Sequence, residues 1–168
     1  MTEQQKDFLN LCIVEQLTFK EISEKLKLPK ETLTIWYDEL KADRIAIATI
    51  RTLWTRKKIT MPFSEFYTWY LSHEPKCYYC DITETQIKLL IDSERLTTKR
   101  LSTRGRKLEL DRKEPNMEYD NFKNIVFACY WCNNAKTDTF TEEEFLEVGK
   151  VFKTIWKQRL NNDRRQSN

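Results

Sequence analysis

Leu108-Glu-Leu-Asp-Arg112, a polar loop, Asn124-Ile-Val-Phe-Ala128, then Cys129-Tyr-Trp-Cys-Asn-Asn-Ala-Lys136: the fold turns on how this stretch is read. Leu108 and Leu110, then Ile125 and Phe127, are apolar at alternate positions, the period of a strand with one buried face. Pro115, Asn116, Asp120 and Asn121 lie between them, so a hairpin with a long connection is expected, followed by the opening of a helix. Cys129 and Cys132 are spaced so that both thiolates reach one zinc ion, and Cys77-Tyr-Tyr-Cys80 supplies a matching pair. The stretch between the pairs is too long for a compact zinc ribbon. The ion is therefore expected to staple two distant knuckles around the hairpin, a treble-clef arrangement.

The series Asp111-Arg112, Asn124-Ile125 and Cys129-x-x-Cys132-Asn133-x-x-Lys136 resembles the zinc-stapled, four-cysteine branch of the HNH endonucleases, the ββα-metal nucleases. The resemblance runs from Cys77 to Thr139, well under half of the chain. It implies a structural Zn2+ on Cys77, Cys80, Cys129 and Cys132. It also implies a catalytic divalent ion on Asp111 and Asn133, with Asn124 bracing the loop and Lys136 facing phosphate. Asp111 and Asn133 offer hard oxygen donors, which suit Mg2+ or Mn2+. Asn134 is the substitute ligand if the helix start is displaced by one residue.

Arg112 stands where the family's usual general base is histidine. A guanidinium keeps its proton at physiological pH, so it cannot deprotonate water. It can bind phosphate or stabilise transition-state charge. Members with Asp-Arg occur in the group, and Glu109, Glu114 and Tyr119 are the nearby groups able to orient water.

At 168 residues the chain is long enough for one or two small domains, and its 40% apolar content suits a folded globule. Net charge is only +3, but the basic residues are unevenly placed. Arg100, Arg104, Arg106 and Lys107, with Lys99, crowd into the segment before the first strand, and Arg51, Arg56, Lys57 and Lys58 form a second cluster. Both are what a phosphate backbone attracts, so DNA is the expected partner. The amino terminus lacks an apolar signal core and no run approaches a membrane span, so a cytoplasmic protein without a membrane partner is expected. Four cysteines in metal-like spacing fit a reducing compartment, and Cys12, the fifth, reads as a small buried apolar residue.

Residues 3 to 41 read as three helices. Phe8, Leu11, Cys12 and Glu15 are spaced for the first. Thr18 and Glu21 form a capping box before the second, with Ile22 and Leu26 inward. Pro29 opens the third, with Leu33, Trp36 and Leu40 inward. The short turn around Leu28 makes this a helix-turn-helix candidate, in which Lys30 would approach DNA. Glu31, Asp38 and Glu39 oppose that use, and homodimerisation or a protein partner is the alternative.

The third helix either runs on or restarts near Asp43. Ser64 caps an aromatic helix that stops before Pro75, where His73, the only histidine, reads as a polar helix-end residue. Thr83 with Gln86 caps a short helix bearing Ile87, Leu90 and Ile91. Thr141 with Glu144 caps the last, with Phe145, Val148, Phe152, Ile155 and Trp156 inward and a frayed polar tail from Asn161.

The fold expected is α+β and mostly helical. Residues 1–42 form a helix-turn-helix-like module, 43–75 connecting helices, 76–140 a zinc-stapled HNH-like ββα-metal domain, and 141–168 the carboxy-terminal helix and tail. The function implied is metal-dependent, HNH-type DNA endonuclease activity. Its alternative is a catalytically inactive, zinc-stapled nucleic-acid-binding protein. A redox role for the Cys-x-x-Cys pairs would need a thioredoxin-like βαβ pattern that the sequence lacks.

Overall fold

Helix caps decide much of the first half of the chain. In the computed structural model, which describes residues 1–161, Thr2 with Gln5 and Thr18 with Glu21 form reciprocal capping boxes. They open α1 (Glu3–Leu9) and α2 (Phe19–Leu26). Lys27 takes the left-handed conformation (φ 55°) that ends α2, and Pro29 caps α3 (Lys30–Glu39) from just outside its first turn. At Leu40 (φ −90°, ψ 25°) the helix breaks, and α4 (Lys41–Arg56) restarts at once. After a turn comes α5 (Phe63–Ser72), in which Ser64 lies inside the first turn rather than capping it.

The first helix departs from simple periodicity. A π-helical turn at Asn10–Val14 adds a residue per turn and rotates the end of the helix, so Val14 faces inward (6% exposed) while Glu15 is exposed. Phe8, Ile22 and Leu33 are fully buried. Phe8 meets Phe19 and Trp36 edge-on, with centroids 6.0 and 5.9 Å apart. Arg51 is also structural. Its guanidinium donates to the carbonyls of Ile13 (2.6 Å) and Val14 (2.8 Å), 3.9 Å from the centre of the Phe63 ring. It is thus committed to the fold rather than to phosphate.

Contacts divide the chain into two compact units, Met1–Ser72 and a second beginning at His73. In the second, the Thr83–Gln86 box opens α6 (Glu84–Asp92), which buries Ile87 and Leu90 completely. Strands β1 (Glu109–Arg112) and β2 (Ile125–Ala128) pair antiparallel, Glu109 opposite Ala128 and Asp111 opposite Val126. All four β2 residues are buried, so this strand is covered on both faces. Cys129 then caps α7 (Tyr130–Lys136), and Thr141 with Glu144 opens α8 (Glu142–Asn161). From Asn162 the expected frayed tail lies outside the described residues.

The core of this unit gathers the four cysteines with Ile82, Ile87, Leu90, Val126, Phe145 and Trp156. The inward face of α8 differs from expectation: Phe145 and Trp156 are buried, whereas Val148 and Ile155 are 39% and 36% exposed. Gly149 is the reason. A β-carbon there would fall on the Tyr79 carbonyl oxygen and 2.9 Å from its carbon, so α8 approaches the first knuckle at its one side-chain-free position. Among the described residues the fold is mostly helical, with a small hairpin beside the carboxy-terminal helices and a four-cysteine cluster. Among the described residues no helix is long and apolar enough to cross a membrane.

Candidate functional site

Two short turns bring the sulfurs together. Cys77 N–H donates to the Ile82 carbonyl and Asp81 N–H to that of Cys77, closing the first knuckle, with Asp81 left-handed at φ 61°. The Tyr78 N–H bonds the Phe127 carbonyl at 2.8 Å, docking this knuckle on β2. In the second knuckle the Cys129 sulfur accepts from Cys132 N–H at 3.4 Å. The four sulfurs all lie within 4.8 Å of one another, and all four residues are buried.

Such crowding makes the thiols mutually dependent. Hydrogen bonding from Cys129, Cys132 and Cys80 draws Cys77 far below the ordinary thiol range. Contact with Cys129 and Cys77 pushes Cys132 far above it. The cluster could hold a metal ion in the manner of zinc, which would relieve this competition by stabilising all four as thiolates.

On β1, residues two apart share a face, and α7 packs on the face that carries Glu109 and Asp111. Asp111 is 6% exposed. Its Oδ2 accepts from the Tyr79 hydroxyl (2.9 Å), and the Lys136 ammonium lies 3.8 Å away. Burial, and then the Asp111 charge, hold the Tyr79 hydroxyl well above the ordinary tyrosine range, so it is a permanent donor. No sequence signal marked Tyr79 beyond its place inside a knuckle.

Lys136 is placed differently from the expected phosphate-facing lysine. It is 0% exposed and donates to the Arg112 carbonyl at 2.8 Å. Cys132 and Lys136 are one turn apart on the buried face of α7, so the lysine follows the staple inward.

Asn133, half-buried on the first turn of α7, donates from Nδ2 to Glu109 Oε2 at 2.6 Å. The Glu109 carboxylate is in turn gripped by Arg104, Nε at 2.8 Å and Nη2 at 2.5 Å. Asn124 is 5% exposed and bonds both backbone groups of Glu114, Oδ1 from the N–H (2.8 Å) and Nδ2 to the carbonyl (3.3 Å). It thereby holds the start of the hairpin loop. Arg112 reaches the Met117 carbonyl (3.0 Å) and lies 5.2 Å from the Tyr119 ring centre.

Of the groups expected to orient water, Tyr119 donates to the Leu110 carbonyl, and Glu114 accepts from the Glu142 N–H at the start of α8. Glu109 is the one that faces α7. In the basic segment Arg106 donates to the Leu101 carbonyl, while Arg100, Lys107 and, in the first unit, Lys30 are exposed. A cavity of about 320 Å³ on this unit, lined by Tyr78, Lys113 and Phe127 among others, includes none of Asp111, Asn124 and Asn133.

No protein-family model matches the chain, and no curated protein matches it. Among solved structures it is similar to the rare-cutting HNH restriction endonuclease PacI, described for its mechanism of DNA perturbation. Identity is 25% and the TM-score 0.50, over 67% of this chain and 77% of that one. The fold thus resembles an HNH-type nuclease and carries a cysteine cluster able to bind metal.

Proposed function

We propose that the chain is a metal-dependent DNA endonuclease that hydrolyses phosphodiester bonds from an HNH-like site. Its structural zinc is held by Cys77, Cys80, Cys129 and Cys132 in a treble-clef arrangement. The observation that carries this reading is that Asp111 and Asn133 stand on β1 and α7, elements packed on each other in the same unit as the four-sulfur cluster. Their carboxylate and amide oxygens fit Mg2+ or Mn2+ and not a thiolate-seeking ion. Such an ion would polarise the scissile phosphate and stabilise the leaving oxygen.

The chain's own groups set the terms for that chemistry. Tyr79 and Lys136 orient the Asp111 carboxylate, and the lysine partly offsets its charge. Substrate phosphate therefore supplies part of what holds a cation there, as is usual for magnesium. Arg112 takes no proton from water. It exchanges the Met117 carbonyl for a phosphate oxygen, a trade of a neutral acceptor for a charged one. Exposed Arg100, Lys107 and Arg106 track the backbone, and residues 1–42, read as a helix-turn-helix-like module, add contacts through Lys30 or bind a partner.

A second reading, a zinc-stapled nucleic-acid-binding protein without catalysis, is favoured by the absence of a histidine base at Arg112. Supercoiled plasmid incubated with the zinc-loaded protein and Mg2+ or Mn2+ separates the two. Nicked or linear product that chelator abolishes supports the nuclease. DNA binding without cleavage of duplex, single-stranded or branched substrates replaces it with the binding module.

A further inference from the structure

An asparagine ligates a cation through its oxygen, and a flipped amide offers an N–H2 edge that repels it. The Asn133 amide is not left to choose. An ionised carboxylate only accepts hydrogen bonds, so the edge of Asn133 that meets Glu109 at 2.6 Å must be the N–H2, and Oδ1 is turned away from Glu109. Glu109 is itself fixed, since both its oxygens are taken by the Arg104 fork.

Arg104 is anchored in its turn. Its guanidinium lies 4.8 Å from the Tyr130 ring centre, and the left-handed backbone of the next residue, Gly105 (φ 85°), turns the loop beside the Trp131 ring of α7. The relay Arg104, Glu109, Asn133 runs from the basic segment to the first turn of α7.

We propose that Glu109, locked by Arg104, is the positioning residue that presents the Asn133 oxygen to the catalytic ion. The proposal rests on the reading of Asp111 and Asn133 as that ion's ligands. It gives Arg104, itself about half exposed, a role apart from the phosphate-binding cations, because its fork is already engaged by Glu109. Groups behind a metal's ligands typically alter affinity about 10- to 100-fold when removed.

The test is a Mn2+ titration of the zinc-loaded full chain, followed by loss of the free-ion electron paramagnetic resonance signal, with zinc content confirming that each variant is folded. Glu109→Gln offers Asn133 a partner of either polarity. It should weaken Mn2+ binding about tenfold while wild-type zinc content is kept. Asn133→Asp has oxygen on both edges and needs no orienting, so Glu109→Gln added to it should cost no further affinity. Arg104→Ala should weaken binding when made in the wild type and leave it unchanged when added to Asn133→Asp.

Equal losses from Glu109→Gln with and without Asn133→Asp, or no loss in either case, would overturn the relay while leaving the ion site standing. A wild type that binds no Mn2+, or an Asp111→Ala variant that binds it as well as wild type, would overturn the ion site and the relay with it. Should Glu109→Gln lose zinc, Arg104→Ala with and without Asn133→Asp gives the same discrimination.

Discussion

Lys136→Met keeps most of the side-chain volume and removes a charge that has no solvent to return to. The lysine is 0% exposed, donates to the Arg112 carbonyl at 2.8 Å and lies 3.8 Å from Asp111 Oδ2. Losing a hydrogen bond from a charged donor costs about 1.5–3 kcal/mol, and breaking a buried pair by removing one partner about 3–5 kcal/mol. Tyr79 still donates to Asp111 in the variant, which sets the expectation at the lower end, about 3 kcal/mol. For a unit of this size that corresponds to a fall in Tm of about 15 °C. Urea unfolding gives the magnitude, and amide exchange of β1 and β2 localises it to the second unit. Asp111→Asn removes the stranded charge, so the double variant should be more stable than the sum of the two losses by about 1–2 kcal/mol. A loss below about 1 kcal/mol for Lys136→Met, with additive behaviour in the double variant, would mean that the ammonium reaches water and the buried pair does not hold the site.

Gly149→Ala should destabilise by about 1–3 kcal/mol in thermal unfolding, although alanine is the better helix former by about 1 kcal/mol, because its β-carbon meets the Tyr79 backbone. A rise in Tm would contradict the close approach. Burial raises the Glu142 carboxyl, but the Tyr78 hydroxyl and Lys113, 3.1 Å away, outweigh it and hold the group below its ordinary value of 4.5. Its contribution is therefore fully present above pH 4.5 and lost as pH falls through the lowered value, so Glu142→Gln should trail wild type at neutral pH and converge on it in acid. A gap independent of pH would refute the pairing. Reversing charge at the exposed Arg100 and Lys107 should weaken DNA binding and flatten its salt dependence by about 0.9 in slope per lost phosphate contact; unchanged affinity and slope would show an ordinary solvated loop.

What the sequence made legible was whatever rests on local chemistry. Thr18, Thr83 and Thr141 each cap the helix expected, because a capping box is complete within four residues. The two Cys-x-x-Cys pairs foretold a cluster because the spacing itself brings thiols within reach of one point. Long-range packing was not legible. Nothing in the spacing of Val148 and Ile155 reveals that Gly149, about 100° around the helix from Val148, is what touches the first knuckle. The resemblance points Lys136 at phosphate, but its acceptors, the Arg112 carbonyl and Asp111, are brought to it only when α7 packs on β1. Arg104 and Arg51 belong to the two basic clusters that the sequence offers to phosphate. One is gripped by Glu109 and the other by backbone carbonyls of the first helical segment, and formal charge does not record such commitments.

In the proposed function Asp111 serves a catalytic ion and the cysteines a separate structural one. The most direct test is cleavage of supercoiled plasmid by wild type and Asp111→Ala in Mg2+ or Mn2+, with zinc content and DNA affinity measured on the same preparations. Asp111→Ala strands the buried Lys136 and loses stability, so it is assayed below its own unfolding midpoint. There about one zinc per chain in both proteins, near-equal DNA binding and cleavage by wild type only are expected. Cleavage that survives Asp111→Ala, or a wild type that holds zinc and DNA yet cuts with neither metal, would contradict the proposed function.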